Sequence, residues 1–487
     1  MLDFDIRLLL IINILGIISV VFFERKKPSE IISWILVITF LPGIGFIFYL
    51  LIGETASLKM ASRFGQKRLY DESQRKKRHA LAPDGAAMAP AAGACAADDI
   101  TAKYADVVGM ITRQSAGLLT RDNKIDVYTN ANDKYKALYD DIQNAKESVH
   151  LLYFTFNADH VGNRFIELLA RKAREGVEIR LMYDTIGNFP YLISHFKTIT
   201  QAGGKVFRFF PLINVFKVNY RNHRKIVVID GRVAYNGGIN ISKSYIGEHR
   251  RARPWRDTHI RITGSAVSAF QERFLLDWIY TSKERIDFNN ALVQQKYFPA
   301  PEPGDSGSIA VQAVASGPDA EGEHIKYGYM KMINLAKSSL YMQSPYFIPD
   351  EAFMLALRLA VDSGVDVRII LPGEPDKRMV YLISRSYLNE LLRLGVKIYL
   401  YDGFIHSKMV VMDGEITSIG TANIDIRSFL LDFEMNAFIY DKGFSERCND
   451  IFFHDITQSR ELTPEEAKGS VLRRLVETVL RILSPLL

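Results

Sequence analysis

The chain has 487 residues, of which 48% are hydrophobic and 24% are charged, and its formal net charge is +6. This composition excludes a disordered, collagen-like or disulfide-stabilised protein. The sequence contains two cysteines, Cys95 and Cys448, which are far apart, so neither a cysteine-ligated metal site nor a disulfide framework is expected. The mild positive charge does not suggest the extended basic surface of a nucleic-acid-binding protein.

Residues 1–53 are predicted to form a hydrophobic helical hairpin embedded in a membrane. The runs 8–23 and 31–53 carry no charged residue. At about 1.5 Å per helical residue the second run can cross a hydrocarbon core of about 30 Å, whereas the first is at the short limit. Pro42 and Gly43 interrupt the second run near its middle, so a re-entrant segment that does not cross is the alternative.

Basic residues flank the second run on both sides. The larger group follows the run, which favours a cytoplasmic location for the rest of the chain and contact with anionic lipid headgroups. This group comprises Lys59, Arg63, Lys67, Arg68, Arg75, Lys76, Lys77 and Arg78, whereas the connection before the run holds Arg25, Lys26 and Lys27. Residues 54–100 are therefore predicted to be a basic juxtamembrane segment and linker, which is rich in Ala, Gly and Pro at 80–97.

The rest of the chain is predicted to be an internal repeat of the α/β class. Strand-like segments alternate with helix-like ones in both 101–298 and 309–465, which predicts two pseudo-symmetric halves with mixed, largely parallel sheets flanked by helices. The Pro/Gly/Ser-rich stretch 299–308 separates the halves. Residues 466–487 form an amphipathic helical pattern that suits either docking on the protein or lying in the membrane interface.

Each half contains one copy of the pattern H-x-K-x-x-x-x-D. The first copy is NHRKIVVIDG, with His223, Lys225 and Asp230, and the second is IHSKMVVMDG, with His406, Lys408 and Asp413. A glycine follows each aspartate directly, and an asparagine, Asn240 or Asn423, lies ten residues beyond it. Two copies in register within matching β patterns make a chance match implausible.

The residue types at this spacing suit chemistry on a phosphate diester. Side chains at i and i+2 of a strand point to the same face, so the histidine and lysine of each copy project together. Two imidazoles and two ammonium groups converging on one point would repel a dication, and no catalytic metal is expected. Lysines can instead neutralise the anionic oxygens of a phosphate while a neutral imidazole attacks phosphorus.

The duplicated pattern resembles the phospholipase D superfamily over about residues 101–465. More narrowly, the chain resembles bacterial cardiolipin synthases that have a membrane hairpin, on the basis of WILVITFLPGIGFIFYLLIG, NHRK, SGPD, YFIPD and the closing LSPLL. The resemblance implies a phosphohistidine intermediate without a cofactor, with the first-motif histidine as nucleophile. It also implies transfer of a phosphatidyl group between two phosphatidylglycerol molecules at the bacterial inner membrane, with cardiolipin as product.

Carried over residue by residue, the resemblance implies a defined site. The motif residues are His223, Lys225, Asp230, His406, Lys408 and Asp413, with the two aspartates as structural supports. Asn240 and Asn423 would assist at the phosphate. An acid some thirty residues after each histidine would hold its imidazole, which points to Asp257 for His223 and to Glu434 for His406.

Two other functions remain open at this point. A hydrolytic phospholipase D or a phosphatidylserine synthase-like enzyme would use the same residues with water or serine as the acceptor. A nuclease of the same fold is disfavoured because the chain combines a membrane hairpin with a small net charge. The sequence sets neither an oligomeric state nor an acyl-chain preference.

Overall fold

The computed structural model describes residues 2–23, 28–52, 100–115, 117–188, 193–210, 220–248, 255–320 and 322–482. The predicted basic clusters at 25–27 and 59–78, and the Ala/Gly/Pro-rich stretch 80–97, lie outside the described residues.

The N-terminal hydrophobic segment forms three helices, α1 (Leu2–Phe23), α2 (Pro28–Phe40) and α3 (Ile44–Ile52). The turn at 41–43 folds α3 back along α2. The contact between the two helices is shown by the rings of Trp34 and Tyr49, which lie 5.3 Å apart although fifteen positions separate them in the sequence. Gly45 packs directly against the backbone of Val37 and Ile38. Within the described part of the chain, none of the helices combines the length and the apolar character that crossing a membrane needs.

Asn13, in the middle of α1, holds the apex of this helical pair. Its side-chain amide donates to the carbonyl oxygen of Ile38 at 2.9 Å, and its amide oxygen accepts from the N–H of Gly43 at 3.1 Å. The side chain is buried. The predicted hairpin is therefore a three-helix unit whose second hydrophobic run doubles back, as in the re-entrant alternative.

The first half alternates strands with helices, as the periodicity predicts. The long apolar and amphipathic segments form the helices, and the Val/Ile-rich segments form the strands. They are α4 (Ile100–Lys103), α5 (Ala105–Ser115), β1 (Leu119–Tyr128), α6 (Ala131–Asn144), β2 (Ser148–Tyr153), α7 (His160–Arg174), β3 (Glu178–Asp184), α8 (Lys197–Gln201), β4 (Lys205–Phe209), β5 (Arg221–Asn222), β6 (Ile226–Ile229), β7 (Val233–Gly237), β8 (Trp255–Arg256), β9 (His259–Thr263), α9 (Val267–Ser282) and α10 (Ala291–Tyr297).

The second half repeats this order. Equivalent caps mark the repeat, because Asp159 before α7 and Asp350 before the matching helix each accept from backbone N–H groups of the first turn. Its elements are β10 (Ile309–Ser316), α11 (His324–Leu335), β11 (Ser339–Gln343), β12 (Phe347–Ile348), α12 (Glu351–Asp362), β13 (Asp366–Pro372), α13 (Arg378–Arg393), β14 (Lys397–Tyr401), β15 (Phe404–Ile405), β16 (Met409–Met412), β17 (Ile416–Gly420), β18 (Ile424–Asp425), α14 (Ile426–Leu430), β19 (Asp432–Tyr440), α15 (Lys442–Thr457), β20 (Ser459–Glu461), α16 (Pro464–Lys468) and α17 (Val471–Ile482).

Among the described residues, sixteen strands form a single mixed sheet that runs through both halves. The halves meet where β1 pairs with β10. The order is β20-β14-β13-β11-β16-β17-β19-β10-β1-β9-β7-β6-β2-β3-β4, with β5 paired to β19. The helices cover the sheet and bury large apolar clusters in each half. The predicted mixed α/β fold is confirmed, but the two sheets expected for the two halves are one.

Parallel pairing is less extensive than the sequence suggests. In each half it joins the outer strands, β2–β3–β4 and β11–β13–β14, and a few two-residue strands. The motif strands β6 and β16 instead pair antiparallel on both sides. The reason is local, because an Asp-Gly turn joins each motif strand to the next strand and such a short connection permits only a hairpin.

Two helices pack against parts of the protein that are distant from them in the sequence. Helix α5 lies at the start of the predicted first half but buries Val107 and Ile111 in the core of the second. Helix α17 docks on α13 through an ion pair of 2.8 Å between Arg481 and Glu390. Its other face exposes Val471, Leu475, Val476 and Val479.

Candidate active site

The two motif segments come together although six strands separate β6 from β16 in the sheet order, since His223 lies near enough to act electrostatically on His406. Strands β6 and β16, which carry the apolar runs of the motifs, are completely buried. Their first residues pair with the last residues of β2 and β11, so His223 and His406 come to the carboxyl ends of the parallel strands. Ligand sites of α/β proteins commonly occupy this edge.

His223 is held by an acid from the second half. Strand β5 runs parallel to the start of β19, and the N–H of His223 donates to the carbonyl oxygen of Phe433 at 3.0 Å. This register places the imidazole beside Glu434. The distance from Nδ1 of His223 to Oε1 of Glu434 is 2.9 Å.

His406 has the complementary arrangement. Strand β15 runs parallel to β8, and the N–H of His406 donates to the carbonyl oxygen of Arg256 at 2.6 Å. The distance from Nδ1 of His406 to Oδ2 of Asp257 is 2.7 Å. Asp257 belongs to the first half, so this pair also crosses between the halves.

The structure therefore exchanges the two acids that the resemblance assigns. We expect Asp257 to hold His223 and Glu434 to hold His406 on the basis of sequence distance, but each carboxylate holds the histidine of the other half. The cause is the parallel pairing of β5 with β19 and of β8 with β15, which joins a histidine strand to an acid strand across the molecule.

Burial sets the protonation of both pairs. The exposed fractions of the side chains are 12% for His223 and 0% for Glu434, and 10% for His406 and 1% for Asp257. Burial, with the neighbouring lysines, lowers the pKa of each imidazole well below its usual value. Burial also raises the pKa of Glu434 and of Asp257 to about 7. A neutral imidazole whose Nδ1–H donates to an ionised carboxylate leaves the lone pair of Nε2 available as a nucleophile or base.

Lys225 and Lys408 bring two cations to the same place. The ammonium of Lys225 donates to the carbonyl oxygen of His223 at 2.6 Å, and that of Lys408 donates to the carbonyl oxygen of His406. Each lysine acts electrostatically on both histidines, which shows that the two motifs converge. Burial lowers the pKa of Lys225 to about 7 and that of Lys408 to about 8. An anionic ligand between them would restore their usual charge.

The two motif-linked asparagines are not equivalent. The amide of Asn240 is used within its own half, because its oxygen accepts from the N–H of Thr155 at 3.0 Å and its nitrogen donates to the hydroxyl of Tyr245. Asn423 is also buried, but its Oδ1 has no hydrogen-bond partner among the described residues. This makes Asn423 the better candidate for a contact with a ligand.

Asp230 and Asp413 lie at the far ends of the motif strands and not beside the histidines. Each occupies a hairpin turn with positive φ, 50° and 54°, followed by a glycine that also has positive φ. The carboxylate of Asp230 accepts from the N–H groups of residues 146–148, and that of Asp413 accepts from those of residues 337–339. Each aspartate therefore connects its hairpin turn to the loop that leads into β2 or β11, which agrees with a supporting role.

Several residues of the site are absent from the sequence-based set. The hydroxyl of Thr421 donates to Oε2 of Glu434, and the equivalent position in the first half is Gly238, where a Cβ would lie 2.0 Å from Oδ1 of Asp257. In the sequence, the difference between GGIN and GTAN is the signal that could have revealed the roles of Gly238 and Thr421. Lys377 lies near enough to act electrostatically on both histidines, and no repeat marks it.

The fold and the paired histidine–lysine motifs define a phospholipase D-like enzyme. The structure of phosphatidylserine synthase from Haemophilus influenzae Rd KW20 has this fold, with a TM-score of 0.57, 15% identity, and coverage of 76% of this chain and 98% of that one. A family model described as "Cardiolipin synthase, PLD-like domain" matches residues 138–278 and 329–456, and one described as "Phospholipase_D-nuclease N-terminal" matches residues 11–54.

Curated relatives narrow the class. "Cardiolipin synthase" of Listeria monocytogenes serotype 4a (strain HCC23) is 42% identical, over 99% of this chain and 98% of that protein. "Cardiolipin synthase 2" of Staphylococcus epidermidis (strain ATCC 12228 / FDA PCI 1200) is 39% identical, over 98% of this chain and 96% of that protein. The chain belongs to the cardiolipin synthase family, which confirms the resemblance drawn from the motifs. It is a phosphatidyltransferase that acts on phospholipids.

Proposed function

We propose that the protein makes cardiolipin by transferring the phosphatidyl group of one phosphatidylglycerol to a second, with release of glycerol. The observation that carries this proposal is the pair of imidazoles, each fixed at Nδ1 by a buried carboxylate, with two lysines that act electrostatically on both. One histidine can then act as nucleophile while the other handles the proton of the alcohol.

The reaction proceeds in two balanced steps. In the first, Nε2 of one histidine forms a bond to phosphorus and the bond from phosphorus to the glycerol oxygen breaks. The other histidine enters this step as an imidazolium, a form that the bound anionic phosphate favours, and donates its Nε2 proton to that oxygen. In the second, the hydroxyl of another phosphatidylglycerol gives its proton to the now neutral histidine and attacks phosphorus, and the P–N bond breaks. By the resemblance, His223 is the nucleophile and His406 the acid and base.

The lysines stabilise the negative charge that develops on the non-bridging oxygens. Because the site is buried, each such contact is stronger than it would be in water. The mechanism uses no metal and no cofactor, since the imidazole supplies the nucleophile and the ammonium groups supply the charge.

We further propose that the N-terminal unit binds the protein to the inner membrane. Most of the exposed side chains described between residues 11 and 49 are apolar, whereas the polar Asn13 is buried at the apex of α2 and α3. Large exposed side chains on this unit include Ile11, Ile14, Leu15, Phe22, Ile32, Phe40, Ile44 and Ile47. Because α3 folds back along α2, the two ends of this pair emerge on one side. Arg25 to Lys27 and the basic residues 59–78 adjoin these ends in the sequence, and this suits the anionic cytoplasmic surface.

Incubation of the purified protein with vesicles of phosphatidylglycerol alone tests the reaction. We expect cardiolipin and glycerol in equal amounts, measured by mass spectrometry and by an enzymatic glycerol assay. Labelled glycerol should also exchange into phosphatidylglycerol, because the covalent intermediate is shared by both steps. Phosphatidic acid as the main product would identify water as the acceptor and would contradict the transferase proposal.

A further inference from the structure

Two buried arginines lie directly behind the histidine–acid pairs. Both acids reach their histidines from the opposite half, so something must hold the backbone of each acid in register across the molecule. Arg224 is 0% exposed and Arg256 is 6% exposed. Neither is part of the repeated pattern, because the second motif has Ser407 at the position of Arg224.

Arg224 connects the backbone of Glu434 to a helix behind the sheet. Its Nε donates to the carbonyl oxygen of Glu434 at 3.1 Å, and its Nη2 donates to the carbonyl oxygen of Ser316 at 3.1 Å. Its Nη1 contacts both carboxylate oxygens of Asp277 on α9, at 3.1 and 2.8 Å. The guanidinium therefore follows His223 in the chain and grips the strand that presents the acid to it.

Arg256 does the same for the other pair from a different position. Its Nη1 donates to the carbonyl oxygen of Asp257 and to the hydroxyl of Thr258. Its Nε and Nη2 lie 2.9 and 2.8 Å from the two carboxylate oxygens of Asp455 on α15. Arg224 lies between β5 and β6, directly after His223, and Arg256 ends β8, directly before Asp257. Each arginine nevertheless joins the carbonyl oxygen of an acid to an aspartate on a helix.

We propose that Arg224 and Arg256 are positioning residues that hold Glu434 and Asp257 against the catalytic histidines across the boundary between the halves. This inference rests on the proposed function. A planar guanidinium with five donors in a fixed geometry suits such a task, whereas the compact ammonium of a lysine lacks the fork that pairs with both oxygens of a carboxylate. Without the arginine, the carbonyl oxygen of the acid loses a donor, and strand pairing alone keeps the carboxylate at Nδ1 of its histidine.

The charge of Arg256 adds an effect on pH dependence. Arg256 is one of the groups that lower the pKa of Asp257, against the larger opposing effect of burial. Removal of this charge raises the pKa of Asp257 further, so the carboxylate becomes protonated at a higher pH. The acid limb of the pH–rate profile then moves to higher pH.

The experiment compares Arg224→Met and Arg256→Met with Arg180→Met in the full-length protein. Arg180 on β3 is a matched control, because it is 3% exposed and pairs with Glu284 at 2.9 Å outside the site. We expect kcat to fall about 10- to 100-fold in the first two variants, the range typical when a contact that orients a functional side chain is lost. Arg180→Met should lower the melting temperature comparably and leave kcat near that of the wild type.

Two further variants separate positioning from folding. Arg256→Lys keeps the charge, so it should restore the acid limb of the profile but only part of kcat. Asp455→Asn keeps the shape of the anchor and should reproduce the loss of kcat if Arg256→Met does not fold. The inference would be overturned if Arg224→Met and Arg256→Met had the same kcat as Arg180→Met and the pH–rate profile of Arg256→Met were unmoved. A wild-type protein that forms no cardiolipin would instead overturn the proposed function.

Discussion

At the scale of single residues, the carboxylates of Glu434 and Asp257 fix which nitrogen of each imidazole carries the proton. An ionised carboxylate only accepts, so the Nδ1–H tautomer is favoured and Nε2 carries the lone pair. Replacement by an amide removes this preference and leaves the shape unchanged.

We therefore expect Glu434→Gln and Asp257→Asn each to lower kcat by about 100-fold or more, because a wrong tautomer is costly in comparable acid–histidine pairs. The measurement is the rate of cardiolipin formation from phosphatidylglycerol. Asp141→Asn is a control. Asp141 lies away from the histidines and forms an ion pair with Arg261 at a distance of 2.7 Å. Wild-type rates in both site variants would show that the carboxylates do not hold the tautomer.

The same residues predict the pH dependence. Burial raises the pKa of Glu434 and Asp257 to about 7, so the active carboxylates form as the pH rises. Burial lowers the pKa of Lys225 to about 7 and of Lys408 to about 8, so the ammonium charges are lost as the pH rises further. The profile of kcat/KM, which reports the free enzyme, should be a narrow bell centred between about 7 and 8.

Bound phosphate stabilises the ammonium groups, so the alkaline limb of kcat should lie at higher pH than that of kcat/KM. Steady-state rates from about pH 5 to about pH 10 test this order, on vesicles of constant composition. An alkaline limb that is the same in both profiles would mean that the lysines do not meet the substrate phosphate.

At the scale of the elements, the motif aspartates belong to the hairpins and not to the chemistry. The carboxylate of Asp413 accepts from the N–H groups of residues 337–339 and from the hydroxyl of Ser338. We expect Asp413→Ala to lower the free energy of unfolding by about 3 kcal/mol, since these bonds to a charged group are lost together. Denaturation monitored by circular dichroism measures this change.

The residual activity of Asp413→Ala distinguishes the two roles of the motif. Below the temperature at which the variant unfolds, kcat should stay within about threefold of the wild type, whereas Lys408→Met should lose about 100-fold with little change in stability. The opposite pattern, a stable but inactive Asp413→Ala, would place this aspartate in the reaction.

The elements also show how far the sequence leads. The duplicated His-x-Lys pattern predicts the buried strands β6 and β16 correctly, whereas the roles of the two histidines and two lysines stay predictions. The exchange of Glu434 and Asp257 was not predictable, because it depends on two-residue strands such as β5 and β8 that pair far along the chain and have no periodicity. The single sheet was not predictable for a similar reason. In the sequence, β1 and β10 look like edge strands of separate halves, and only the structure shows that they pair.

At the scale of the whole molecule, the crossed pairs make the two halves one catalytic unit. Each histidine takes its acid from the other half, and Arg224 and Arg256 fasten the same boundary. The pseudo-symmetry therefore describes the fold better than it describes the site, in which Asn240 and Asn423 differ in their partners.

The orientation of the molecule at the membrane gives the last prediction. If the basic residues after position 53 face the anionic leaflet, the catalytic part lies in the cytoplasm. Ser306 is exposed in the stretch between the halves, so Ser306→Cys in a Cys95→Ser background offers a single accessible thiol, because Cys448 is buried. A membrane-impermeant maleimide should label this thiol only after the inner membrane is permeabilised.

Phe40→Cys in the same background, at the exposed apex of α2, should be shielded by lipid in both conditions. Labelling of the Ser306→Cys variant in intact spheroplasts would reverse the orientation, and labelling of the Phe40→Cys variant would show that the apex lies in water.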